Sequence, residues 1–494
     1  MRAAGGFVAI HAVFAAVGMA LLFALGMVSR VRDIPARLGP AYLSGVAAVM
    51  SCLVLLLVVG VPIRLPELAL TSVLLAIGFV AIRLWLRRRG RPPAVAALEA
   101  AGGMETLISR VAVAAIGLYF AVGATAYAKL ATFGDDWAFW SFKGRALYDF
   151  GGRLKPEVFL ARPAHPPHLD YPVLQPLLES LTFRAMGGVH LQEWHISLWI
   201  LFASFVWTVG FLLRSRGVSM PIVLAPLAAL ALSPYASQIV MVGYADVTVA
   251  CFVGTGALAI GLWLDGGRYE YALLGAVLLA GAANAKNEGE TAAAAVLVGA
   301  AVVLGVARER RWGQWLGASA VAAAGAAPWI LWRSAHGLKN DDLPSLGTSL
   351  DVGYLTGRLD RLGSAIDSLG SQLAMTGRWL GVFPCFLMLA IACIATSTAR
   401  RQATFYLATI GLMLAVLLWI YWIGRPPIEV WLAPNSFHSA NRVVTMIVFT
   451  AGAGAIHLAA RLLGSGGWLP QAAARSGSGA GRPSPANSGD AIRR

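Results

Sequence analysis

Phe133-Gly134-Asp135-Asp136-Trp137-Ala138-Phe139-Trp140-Ser141-Phe142-Lys143 is an acidic and aromatic island, and what flanks it decides the fold. The chain before it is apolar from Leu107 to Leu130, and beyond a second polar stretch it is apolar again from Trp194 to Leu213. Each run has the length of about 20 residues that a helix needs to cross a hydrocarbon core. Working outward, the same pattern recurs at Phe7 to Val28, Tyr42 to Val61, Leu68 to Leu86, Pro221 to Val242, Val247 to Leu264, Tyr271 to Ala285, Thr291 to Val306, Leu316 to Trp332, Trp379 to Ile394, Thr404 to Ile423 and Val443 to Leu462, thirteen runs in all. The expected fold is an all-α polytopic membrane protein with about thirteen transmembrane helices and a large helical outer loop.

Composition excludes a soluble globular domain. Of 494 residues 58% are hydrophobic and only 13% charged, and mean hydropathy is +0.69. The first apolar run is too long for a signal-peptide core and no small-residue cleavage site follows it, so it reads as a retained span. Cys52, Cys251, Cys385 and Cys393 all lie in apolar runs, where cysteine behaves as a small core residue and not as part of a disulfide or metal framework. The net charge of +15 comes with arginines clustered in short loops, the pattern of membrane orientation. Membrane lipid is the expected partner and nucleic acid is not.

Arg30, Arg32 and Arg37, then Arg87, Arg88, Arg89 and Arg91, then Arg214 and Arg216, then Arg308, Arg310 and Arg311, then Arg400 and Arg401 occupy one set of alternate loops. By the positive-inside rule these loops are cytoplasmic, and the N-terminus is outside. Four regions follow: N-terminal spans over 1–130, an outer acidic loop over 131–192, a membrane core over 193–463, and a Gly-, Ser- and Pro-rich tail over 464–494, expected to be disordered and cytoplasmic. Under this topology the ionisable residues that stand out fall on the outer face: Asp135, Asp136, Lys143, His165, His168, Asp170, Tyr244, Asp246, Lys286, Asn287, Glu288, Arg333, His438 and Arg442.

Three stretches carry chemistry. The Asp135-Asp136 pair is followed by Trp137, Phe139, Trp140 and Phe142, rings that hold a loop at the membrane interface and so position a carboxylate as a base. His165-Pro166-Pro167-His168-Leu169-Asp170-Tyr171-Pro172 places two histidines near an aspartate, at a spacing that matches no strict metal signature. Ala285-Lys286-Asn287-Glu288-Gly289-Glu290 interrupts an apolar stretch after only fifteen residues, roughly 22 Å of helix against a core of about 30 Å. The turn is therefore expected to dip below the membrane surface, where irregular backbone must be covered by protein or line a wet cavity. Arg333 closes the tenth run and Arg442 opens the last, and guanidinium suits bidentate pairing with phosphate.

Together these residues resemble the GT-C class of membrane glycosyltransferases, the group that contains protein O-mannosyltransferases and lipid A aminoarabinose transferases. Asp135-Asp136 with Trp140 and Lys143 looks like the acidic motif of their first outer loop. His165 to Pro176 resembles that loop's second half, and Gly243 to Asp246, Lys286 to Gly289 and Ser439 to Arg442 look like recurrent outer-edge motifs. The likeness spans roughly residues 132–445. Three spans precede the acidic loop's own span, where many relatives have one, the usual Asp-Glu pair is Asp-Asp, and no Trp-Trp-Asp acceptor motif is present.

The resemblance implies a polyprenyl-phosphate sugar as donor, an extracytoplasmic glycan, lipid or protein as acceptor, and inversion at the anomeric carbon in a bacterial-type plasma membrane. It implies two catalytic acids, Asp135 as base and Asp136 as its orienting neighbour or an acceptor contact, with Lys286, Arg333 and Arg442 on the donor phosphate, and Trp140, Lys143, His165, His168, Asp170, Tyr244, Asp246, Asn287, Glu288 and His438 around the substrates. No cofactor is required by these residues; a divalent metal is compatible with them, and no metal ligand is assigned. The competing reading is a lipid-linked sugar flippase or secondary transporter, which also uses broken spans but calls for a paired repeat.

Overall fold

Where water is excluded, every backbone N–H and C=O must be satisfied within the segment, so uncharged apolar runs have no stable alternative to helix. The computed structural model follows that rule. It describes residues 2–28, 30–89, 103–130, 134–154, 168–340, 342–425, 428–433 and 439–465, and among these every regular element is helical. His165, His438 and the tail beyond residue 465 lie outside the described residues.

Helices α1 (Arg2–Ala24), α2 (Leu38–Val58), α3 (Leu65–Arg88) and α4 (Gly103–Tyr127) precede the acidic island. A π-helical turn over Asp136–Trp140 runs directly into α5 (Ser141–Asp149), and α6 (Leu174–Met186) follows. Then come α7 (His195–Arg214), α8 (Met220–Ala231) with α9 (Pro234–Met241), α10 (Ala245–Leu264), α11 (Tyr269–Ala283), α12 (Asn287–Val306) and α13 (Trp312–Ala335). The amphipathic α14 (Leu359–Ala374), α15 (Val382–Ala395), α16 (Arg400–Ile423) and α17 (Ser439–Ser465) complete the α-helices of eight or more residues. Glycine closes several of them: at the end of α1, Gly26 takes φ 70°, and Met27 N–H reaches back to the Leu22 carbonyl.

Among the described residues ten helices are long and apolar enough to cross a membrane, and α8 and α9, bent by 52°, add an eleventh if they form one span. The 15-residue α11 and the 14-residue α15 are apolar but shorter. The chain is thus an all-helical, polytopic integral membrane protein. All twenty residues of α10 are buried, and α17, α11, α7 and α16 pack around it. Outer helices show the reverse: Leu70, Leu74 and Ile77 of α3 and Val111 and Leu118 of α4 are exposed, a surface suited to lipid tails.

Between α4 and α7, the described helix α6 is packed into the bundle. Every residue of α6 from Leu174 to Phe183 is buried, and α6 packs on α1, α2 and α5. A second polar cluster marks the far end of α10, where Asp265 meets His457 and Arg461 at 3.5 Å each and accepts from Gln402 at 2.8 Å. Asp246 opens the same helix, so the two clusters lie roughly 28 Å apart by helical rise.

Candidate functional site

The break between α11 and α12 is the anchor of the site. Asn284, Ala285 and Lys286 are buried, and Asn284 ties the break to two other segments. The Asn284 carbonyl accepts from Leu174 N–H at 2.9 Å, and its side-chain amide donates to the Gly325 carbonyl at 2.8 Å. Lys286 Nζ donates to Asp246 Oδ1 at 2.9 Å and meets Glu288 Oε1 at 3.0 Å. Burying the ammonium alone would be costly, and the two carboxylates of Asp246 and Glu288 offset that cost.

The adjacent carboxylates face opposite ways. Asp135 is one-third exposed (33%) and pairs with Arg442, whose guanidinium lies 4.3 Å from the centre of the Tyr244 ring. Asp136 points inward and is fully buried. Ser141 Oγ donates to Asp136 Oδ1 at 3.0 Å, and His195 Nε2 lies 3.1 Å from Oδ2. His195 Nδ1 is 3.2 Å from the Gln192 carbonyl, which can only accept, so one proton is shared between Nε2 and Asp136. Burial raises the Asp136 pKa against the opposing pull of His195 and Ser141.

Glu179, on the buried face of α6, is pushed well above the ordinary carboxylic range, first by burial and then by the charge of Asp136. Two glycines make room for these acids. A Cβ on Gly243, already at φ 72°, would come within 2.3 Å of the Asp136 carboxylate, and one on Gly144 would come within 2.6 Å of Glu179 Oε2. Gln175 holds the Gly243 turn by donating to its carbonyl at 2.8 Å.

Two adjoining cavities open here. The smaller, about 210 Å³, is lined by Asp135, Trp140, His168, Lys286 and Arg442 among others. The larger, about 750 Å³, is lined by Asp170, Asn287, Glu288, Glu290 and Arg333 and by the polar loop from Leu338 to Leu346. Tyr171, Asp342, Trp431 and Ser439 border both. Tyr171 is the centre of a stack of rings, 4.6 Å from His168 and 5.6 Å from Trp140 between centroids, and Lys286 Nζ lies 5.8 Å from its ring.

The residues expected from sequence to bind one phosphate are therefore divided. Lys286 and Arg442 line the smaller cavity, whereas Arg333 lines only the larger. Arg333 pairs with Glu290 at 3.0 Å and donates to Asn287 Oδ1 at 2.7 Å, because Glu290 lies one turn into α12 on the side facing α13. Lys143 lines neither cavity: it is fully buried and donates to the carbonyls of His168 and Tyr171 at 2.7 and 3.2 Å, fixing the loop that presents the ring stack. Burial lowers its pKa to about 7, against the pull of Asp170. Burial likewise raises that of Asp170, which accepts from Asn287.

Tyr244 lies under Arg442, and Asp246 is buried behind Lys286. Trp140 and His168 line the smaller cavity, and Asp170, Asn287 and Glu288 the larger. Sequence reasoning missed Tyr171, Glu179, His195, Glu290 and Asp342 as site residues. Among the described residues no group of three or more His, Cys, Asp or Glu side chains is arranged to hold a metal ion. Comparison of the chain with protein-family models, with curated proteins and with solved structures finds no match.

Proposed function

We propose that the protein is a GT-C-like membrane glycosyltransferase that moves a sugar from a polyprenyl-phosphate carrier to an acceptor hydroxyl on an extracytoplasmic glycan, lipid or protein, with inversion. The reading takes α11, α15 and the bent α8–α9 pair as spans, thirteen with the ten long helices. It puts the site outside the cytoplasm because the arginine-bearing loops lie at the other ends of the helices. The observation that carries it is the smaller cavity, where Asp135 shares a wall with two cations and a ring stack beside the break between α11 and α12, with Asp342 at the border to the larger cavity.

In this mechanism Asp135 takes the acceptor hydroxyl proton as the oxygen attacks the anomeric carbon from the face opposite the phosphate. The new glycosidic bond forms as the bond to the phosphate oxygen breaks, and the lipid phosphate leaves with the electron pair. Lys286 and Arg442 stabilise the charge that develops on it. Arg442 pairs with Asp135, so a phosphate that engages Arg442 competes with the base for the guanidinium. Arg333, Asp170, Asn287 and Glu288 face the sugar or acceptor from the larger cavity.

A lipid-linked sugar flippase or transporter is the second reading, favoured by the 52° bend between α8 and α9, since transporters use discontinuous helices. Purified protein supplied with a polyprenyl-phosphate hexose or pentose and envelope acceptors separates the two. A new glycosidic bond with free polyprenyl phosphate supports transfer; donor moved across a proteoliposome bilayer unchanged supports the transporter.

A further inference from the structure

A third concavity lies on the lipid side of the bundle, remote from the site. Helices α4, α7 and α8 enclose an apolar groove of about 490 Å³, walled by Ile116, Phe120, Val206, Phe211 and Leu224. That volume is within the range of about 300–1,000 Å³ of pockets that bury a small ligand. The Trp207 indole donates to the Ala36 carbonyl at 3.1 Å and ties the α1–α2 loop to the groove's edge. Arg214 is the one ionisable residue in the lining.

The place of Arg214 decides what the groove serves. α7 begins at His195, against Asp136, and ends at Arg214, so its 20 residues set the guanidinium roughly 28 Å from the acidic turn. A polyprenyl phosphate held by Lys286 and Arg442 has its head at the wrong end to use Arg214. Lipid tails are about as apolar as the groove, so the groove by itself selects no lipid; the charge at its mouth does. Guanidinium favours the phosphate of an anionic head group, and a zwitterionic one sets its own ammonium against Arg214 and the exposed Arg216.

We propose that this groove is a binding site for an anionic diacyl phospholipid, with one acyl chain between α4, α7 and α8 and the phosphate on Arg214. The site belongs to the leaflet opposite the candidate active site and does not depend on the proposed transfer reaction.

Native mass spectrometry of the full-length protein in detergent, with phosphatidylglycerol, phosphatidylcholine and polyprenyl phosphate as probes, tests it. The wild type is expected to retain phosphatidylglycerol about fivefold over phosphatidylcholine, the scale set by one arginine near an anionic head group, and Arg214→Gln to bring the two near equality. Gly117→Leu tests the chain pocket. A Cβ at Gly117, which lines the groove, meets nothing within 4 Å, so a larger side chain can start from that position without a clash at its base. It is expected to lower retention of both phospholipids several-fold with thermal unfolding unchanged. Equal retention of the two phospholipids by the wild type overturns the proposal, as does unaltered retention by Gly117→Leu, or displacement of phosphatidylglycerol by an equal concentration of polyprenyl phosphate.

Discussion

Arg442 and Asp135, 307 positions apart in the chain, form the ion pair that ties the first turn of α17 to the acidic turn before α5. The pair brings a potential base and a phosphate-binding group to one cavity wall, while the neighbouring Asp136 turns its carboxylate into the protein. Two adjacent residues of one type thus receive different tasks from their surroundings.

The division predicts different phenotypes. Asp135→Asn keeps shape and much of the hydrogen bonding but removes the proton acceptor, and transfer is expected to slow by about 100-fold or more, with donor binding retained. Asp136→Asn is expected to act through folding, because it disturbs the proton shared with His195, and to lower the unfolding temperature. Kinetics and thermal unfolding of both variants in detergent are the measurements. Near-wild-type turnover of Asp135→Asn would remove it from the role of base.

Lys286 satisfies two carboxylates at once, Asp246 at 2.9 Å and Glu288 at 3.0 Å. Lys286→Met strands both, and the expected loss is about 3–5 kcal/mol, the usual cost of removing one partner of a buried pair. Lys286→Met with Asp246→Asn should lose less than the sum of the single changes. Strict additivity in chemical unfolding would mean that the pair contributes no coupling.

The helical fold was legible because apolar length alone dictates it, and the break before Lys286 was legible because fifteen apolar residues fall short of the hydrocarbon core. The division of Asp135 from Asp136 was not. Which of two adjacent carboxylates turns inward is set by Ser141, His195 and Gly243, from three segments that only tertiary packing brings together. Span order likewise put Arg333 at the same end as Lys286 and Arg442, yet the lateral place of α13 is not written in that order, and Glu290 holds the guanidinium in the neighbouring cavity. Glu179 and His195 read as isolated polar residues in apolar helices until their contacts are seen.

Glu179 makes stability depend on pH in a stated direction. Its folded pKa is raised by burial, so above the unfolded value of about 4.3 the native state holds a proton that the unfolded chain has lost. Stability is full below that value and falls as pH rises toward the raised folded pKa. Asp136, also raised, adds in the same sense, whereas Lys143, lowered to about 7, makes stability rise with pH above that point. Comparing the thermal unfolding of wild type and Glu179→Gln between pH 5 and 7 isolates this carboxyl's share. Glu179→Gln mimics the protonated side chain and should flatten the decline and unfold at a higher temperature than wild type at pH 7; an unchanged slope would show that Glu179 is not the group responsible.

The two ends of α7 are expected to lie on opposite sides of the membrane. Trp137, beside the acidic turn that His195 contacts, is 56% exposed, and Arg216, just past the other end, is exposed as well. Cysteine at either position should therefore react with a thiol reagent, provided that Cys385, the exposed native cysteine, is first replaced by Ala. With an impermeant reagent and intact cells, Trp137→Cys is expected to label at once and Arg216→Cys only after permeabilisation, because the positive-inside rule assigns the arginine-bearing loops to the cytoplasm. The opposite order would place the cavity of Asp135, Lys286 and Arg442 on the cytoplasmic side, where a donor and acceptor outside the cytoplasm have no access to it. Labelling of both positions in intact cells would mean that α7 does not cross, and would remove the opposite-leaflet argument for Arg214 as well.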